Sequence, residues 1–257
     1  MKRNTILTIA AIIVLGISIF IANTTLDSYI LRILNLCAIY TVLGLSMNLI
    51  NGFTGLFSLG HAGFMAVGAY VTALLTMPIA TKQMNFFLAP MISPLDKIVW
   101  PFLPSLILAG LLSAAAAYLI GAPVLRLKGD YLAIATLGFA EIIRVIFTNT
   151  QRLTNGALGL KGIPATTNLW WSFGTAVFTI FIMVSLINSS YGRAFKAIRE
   201  DEIAAESMGI SLFKHKVLTF AIGAFFAGIG GGLLGNLIGA VDPLMFRFFL
   251  TFNVLLI

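Results

Sequence analysis

Residues 33–81 form a run of 49 positions without one Asp, Glu, Lys or Arg. A single crossing of a bilayer takes about 20 apolar residues, so this run predicts two membrane passes, with Asn51-Gly52 as the natural turn between them. Backbone polar groups in hydrocarbon must be satisfied internally, which restricts such a chain to helices. The rest of the sequence agrees: 59% of the 257 residues are hydrophobic and 10% charged, and the mean hydropathy is +1.01, against about 25% charge in a soluble domain. The fold class is an all-α integral membrane protein, a polytopic transmembrane helix bundle forming one domain over 1–257.

The passes follow from apolar stretches and their breakers. Residues 5–23 form a first helix that is retained rather than cleaved, because the end of the stretch lacks a small-x-small processing site. In the pass at 55–77, Gly55, Gly60, Gly63 and Gly68 alternate with Ser58, Ala62, Ala66 and Ala69 around His61. So many small residues allow close helix approach and break the helix near its start. Residues 77–100, with three prolines, Lys82, Asp96 and Lys97, read as a loop outside the membrane. Further passes are expected at 101–122, stopped by Pro123, and at 131–147, 169–187 and 217–240. In the last of these, Gly223, Ala227, Gly231, Gly235 and Gly239 recur every fourth residue beside a second row of Ala224, Gly228 and Gly232, a flat face for packing. Residues 248–257 would reach only half of the hydrocarbon core. The expectation is therefore about eight spans, the last incomplete, with a C-terminal part missing.

One polar island interrupts this pattern. Residues 188–216 carry five of the sixteen basic residues (Arg193, Lys196, Arg199, Lys214, Lys216) and four of the nine acids (Glu200, Asp201, Glu202, Glu206). Asp201 is placed to cap a two-turn helix, Gly209 to end it, and Ala204, Ala205 and Met208 to share one of its faces. Counting passes puts this island on the same side as the N-terminus, and the positive-inside rule makes that side cytoplasmic. The net charge of +7 fits that role, because no basic stripe with interleaved aromatics is present to bind nucleic acid.

The chemistry a chain like this offers is limited. Cys37 stands alone, and there is no zinc spacing, phosphate loop or nucleophile elbow. The chain itself reads as non-catalytic, with no cofactor or metal bound directly. Candidates for a translocation path are Asn48, Ser58, His61, Thr136 and Glu141, which offer donors and acceptors among apolar walls. Two have alternative roles: His61 as a packing residue bonded to a neighbouring helix, and Glu141 as the partner of Arg144 one turn away. An ion-coupled secondary transporter using Glu141, Arg144 and His61 is the rival reading from another class.

Four stretches carry a family resemblance. GLSMNLINGFTGLFSLGHAGFMAVGAY at 44–70 resembles the opening signature of the high-affinity branched-chain amino acid permeases, the LivM and LivH type of ABC importer subunit. YLAIATLGFAEIIR at 131–144 and LTNGALGLKGIP at 153–164 are similar to the LivM branch, and RAFKAIREDEIAAESMGI at 193–210 resembles the family's cytoplasmic loop. The resemblance implies a LivH-like second permease subunit, two cytoplasmic ATP-binding subunits that consume the ATP, an extracytoplasmic amino acid-binding protein and a bacterial plasma membrane. A same-family permease for urea or short amides is the alternative substrate reading. It also implies that 188–216 is the coupling loop that docks an ATPase, through Arg193, Arg199, Asp201, Glu202, Ala204, Ala205, Met208 and Gly209. Ala204, Ala205 and Gly209 match the general importer pattern, while Ile203 occupies the position of its Glu and no Pro follows. Asn155 stands where relatives usually carry Gly.

Overall fold

The structure, a computed structural model, describes residues 2–127 and 129–257, with side chains described from residue 14 onward. The charges of Lys2, Arg3 and Lys128 that enter the orientation argument lie outside these side chains. Among the described residues twelve α-helices follow one another: α1 (Lys2–Thr25), α2 (Ser28–Asn48), α3 (His61–Thr76), α4 (Ile79–Asn85), α5 (Phe102–Val124), α6 (Asp130–Asn149), α7 (Gln151–Thr154), α8 (Leu169–Asn188), α9 (Ser190–Glu200), α10 (Glu202–Ser207), α11 (Leu212–Ile238) and α12 (Phe248–Leu255). Among the described residues, five are long and apolar enough to cross a membrane: α2 with its extension to Phe53, α5, α6, α8 and α11. That is fewer than the eight expected passes. α3 falls short because residues 54–60 ahead of it are unwound, and α12 has only eight residues.

The bundle is built around α11. Of its most apolar window 78% is buried, against 17–50% for the other four spans, and α3, α5 and α2 pack on it. The two small-residue rows make this possible. A Cβ at Gly68 of α3 would run into the Gly228 carbonyl, one at Gly231 into the Met65 carbonyl, and one at Gly223 into the Ile50 side chain. α11 therefore meets α3 backbone to backbone, as small-residue faces in membranes allow. α5 is tied to α3 beside this contact by the Ser113 hydroxyl, which donates to the Phe64 carbonyl at 3.0 Å.

Loop contacts sort the connections into two ends. At one end β1 (Leu160–Lys161) pairs antiparallel with β2 (Ala240–Val241), a short ladder that an all-α reading did not include. Asn85 bonds the backbone of Lys161 there, and Thr167 and Asn236 tie the 164–167 segment to α11 and α3. Asn155 takes the left-handed conformation, φ 61, and its amide donates to the Gly159 carbonyl at 2.7 Å, so the expected turn forms without glycine. The 77–100 loop is less open than its composition suggests. Lys82 of α4 is buried, its ammonium donating to the carbonyls of Leu95 and Ile98. Burial pushes its pKa below the ordinary lysine value, with Asp96 pulling the other way. The opposite end carries the α2–α3 junction, residues 125–127, and α9 with α10.

Candidate functional site

The polar island folds as two helices, where the sequence suggested one capped helix of two turns. Ser189 caps α9, its hydroxyl accepting from the Gly192 amide at 3.4 Å, and a Cβ at Gly192 would strike the Ile187 carbonyl. Glycine thus lets the chain double back directly from α8. Gly192, Ala194, Phe195 and Ile198 are buried, one apolar stripe at helical spacing that seats α9 on the bundle. Its other face carries Arg193, Lys196 and Arg199.

Asp201 breaks the two helices apart and caps the second. Its Oδ1 accepts from the amides of Ile203 at 2.8 Å and Ala204 at 3.0 Å. At the other end Gly209, φ 83, closes α10 with two bonds, Ile210 N–H to the Ala205 carbonyl and Gly209 N–H to the Glu206 carbonyl, the paired pattern of a Schellman motif. Six residues of helix are marginal alone, so these caps and one ion pair define it: the buried Lys216 ammonium of α11 lies 2.5 Å from Glu202 Oε1. Asp201→Ala is expected to remove about 1 kcal/mol of local helix stability, read as faster hydrogen exchange at the Ile203 and Ala204 amides with the α11 amides unchanged.

The face that Ala204, Ala205 and Met208 were expected to share divides. Ala205 turns inward at 4% exposure, whereas Met208 is 83% and Ile203 74% exposed, and Ala204 is exposed beside them. Two large apolar side chains on a charged tip, which none of the described residues covers, form a surface suited to a partner. Ile203, a departure from the importer pattern, belongs to this surface.

Beside α9 lies the broken junction of α2 and α3. α2 does not turn at Asn51-Gly52; it widens into a π-helix, Leu49–Phe53, and the chain reverses at Gly55, φ 71. The Asn51 amide group bonds both the N–H and the carbonyl of Ser58, which stabilises the wider turn instead of a tight one. The unwound stretch is pinned throughout. Thr54 donates to the Leu49 carbonyl, Thr136 of α6 accepts from Leu59 N–H at 3.0 Å, and Thr251 of α12 accepts from Ala62 N–H at 3.0 Å. Non-helical backbone at membrane depth is tolerated where protein satisfies it in this way. Thr251 was not singled out from the sequence, although a lone hydroxyl in the run 248–257 was the available signal.

The path candidates separate accordingly. Ser58 is buried, and its hydroxyl accepts from Gly60 N–H. His61 is buried with Nε2 2.9 Å from the Ser46 hydroxyl; that hydroxyl donates to the Leu43 carbonyl, so Nε2 carries the proton. The geometry is that of a packing histidine. Thr136 holds Leu59, and Glu141 pairs with Arg144 one turn along α6. Asn48 is the candidate that borders a cavity, whereas Glu141 is exposed on the surface of α6. That cavity, of about 680 Å³, is lined also by Thr41, Gly44, Asn51, Phe57 and Ile257.

Known proteins share this pattern. The chain is 37% identical over 244 residues to the high-affinity branched-chain amino acid transport system permease protein LivM of Salmonella typhimurium, covering 82% of this chain and 53% of that protein. It is 35% identical over 276 residues to LivM of Escherichia coli, covering 93% and 59%, and 26% identical to the probable LivM of Methanocaldococcus jannaschii, covering 83% and 71%. The chain thus spans between half and three-fifths of the length of the first two. No solved structure matches it. Residues 29–257 match the family described as branched-chain amino acid transport system, permease component, and the chain belongs to that family.

Proposed function

We propose that this chain is a permease subunit of an ATP-driven importer for branched-chain amino acids. The observation that carries the reading is the family match over 29–257, and the exposed, doubly capped tip of α10 gives it a physical basis. In this reading the chain is not an enzyme. Two cytoplasmic ATP-binding subunits hydrolyse ATP, one gripping Ile203, Ala204 and Met208, while a LivH-like permease completes the pathway and an extracytoplasmic binding protein delivers substrate. Arg193, Arg199, Asp201, Glu202, Ala205 and Gly209 build and orient the docking tip. The end bearing α9 and α10 also carries Arg126 and Lys214, so the positive-inside rule puts it, with the N-terminus, in the cytoplasm of a bacterial plasma membrane. α1, α3 and α12 join the five long helices to make about eight spans.

The Asn48 wall of the cavity is the best-supported part of the route, since an amide among apolar side chains suits a zwitterion with an aliphatic tail. The test is uptake of labelled leucine into vesicles holding the assembled complex with its binding protein. ATP-dependent accumulation, unaffected by excess urea, is the expected result. Flux driven by a proton or sodium gradient without ATP overturns the reading.

A further inference from the structure

We infer that Arg199 is a positioning residue that joins the docking tip to the broken α2–α3 junction, making α9 and the π-helical turn one moving body. The inference rests on the importer reading and adds the element through which the tip acts.

Three contacts converge on this link. The Arg199 Nη1 donates to the Gly52 carbonyl at 3.2 Å, inside the π-helix. Glu200 holds the guanidinium in place, its Oε1 accepting from Arg199 Nε at 3.1 Å and Nη2 at 2.5 Å. Gly55 sits against the stem of the same side chain, so closely that a Cβ there would lie 2.9 Å from Arg199 Cγ and 3.3 Å from its Cβ. One turn earlier, the Lys196 ammonium stands 5.9 Å from the centre of the Phe53 ring. Apart from Glu200, the partners Gly52, Phe53 and Gly55 all lie in residues 52–55, where the helix has lost its regular ladder.

That placement matters mechanically. A regular helix resists bending, whereas a π-helical turn followed by unwound chain concentrates deformation in a few residues. Asp201 follows Glu200 directly, so a load on α10 enters α9 at the turn that carries Arg199. The same load reaches α11 through Glu202 and Lys216, and α11 meets the junction again where the Thr54 and Thr219 hydroxyl oxygens lie 3.3 Å apart. The tip therefore grips both sides of the hinge, and Arg199 is its only side chain bonded to the π-helical backbone among the described residues.

The test uses the assembled importer carrying Cys37→Ser, which removes the native thiol. Arg199→Ala is expected to lower the ratio of leucine transported to ATP hydrolysed by about tenfold, the loss of one charge-assisted hydrogen bond, while the ATPase subunits still copurify. The pair Gly55→Cys with Arg199→Cys places two Cβ atoms within a few tenths of an ångström of disulfide spacing. Reduced, it should be uncoupled like Arg199→Ala; oxidised, it should regain the parental ratio, because a covalent link replaces the lost contact. Restoration on oxidation is an outcome that a purely local structural role of Arg199 does not produce. A parental ratio in Arg199→Ala, a pair that fails to oxidise, or an oxidised pair that stays uncoupled overturns the inference. Failure of the Cys37→Ser parent to import with ATP instead overturns the importer reading.

Discussion

Gly68→Leu is expected to unfold the bundle at a temperature about 10 °C lower, from an overpacking cost of about 3 kcal/mol. The position leaves no room for accommodation. A Cβ there meets the Gly228 carbonyl and its neighbouring backbone atoms, so α3 and α11 must separate, whereas a clash with a side chain could be relieved by a rotamer change. Separation exposes none of the interface to water, but it forfeits the close contacts that hold helices together in lipid. Gly174→Leu in α8 is the matched control, because nothing lies within 4 Å of its Cβ, and leucine is the better helix former. Thermal unfolding in detergent, followed by helical circular dichroism, should separate the two variants cleanly. Equal midpoints would mean that α3 and α11 are not in backbone contact.

Ile203→Asp combined with Met208→Asp should lower affinity for the ATPase subunit at least a hundredfold without disturbing the fold. Buried apolar anchors at an interface contribute up to about 2 kcal/mol each, and the substitution also forces an unpaired carboxylate into a desolvated pocket. Because both side chains are mostly exposed in the isolated chain, the variant should keep the parental unfolding temperature. Ala205→Leu should do the reverse, damaging the seat of α10 on the bundle, since Ala205 is buried. Copurification of the ATPase, scored beside thermal stability, distinguishes these outcomes. Retained binding in the double variant would show that the partner grips another surface.

Much of the fold was legible because lipid imposes a simple rule on hydropathy. α5, α6, α8 and α11 begin and end within a few residues of the predicted bounds, apart from α11, which starts five residues earlier at Leu212. The caps of α10 were also legible, since Asp201 and Gly209 act on backbone within two or three residues of themselves. Where reading failed, distance in sequence was the cause. Asn51-Gly52 looks like a turn locally, but Asn51 bonds Ser58 and the turn moves to Gly55. For His61 the sequence left a path role and a packing role both open, because its partner Ser46 stands fifteen positions back. Thr251 and Thr136 support the break from helices far along the chain. Ala205 was misassigned because the face it shares with its neighbours is cut by the surface of α11 and α9, which no helical wheel shows.

The central position of α11 bears on how the protein is made. α3 and α5 are complete by Val124, yet the helix they pack against begins only at Leu212. At roughly 5–20 residues per second of synthesis, their glycine-lined flanks wait several seconds beside lipid before that partner leaves the ribosome. During that interval α3 can hold α5 and then α6, and α2 can hold α8, but α11 must slot in between helices already in place.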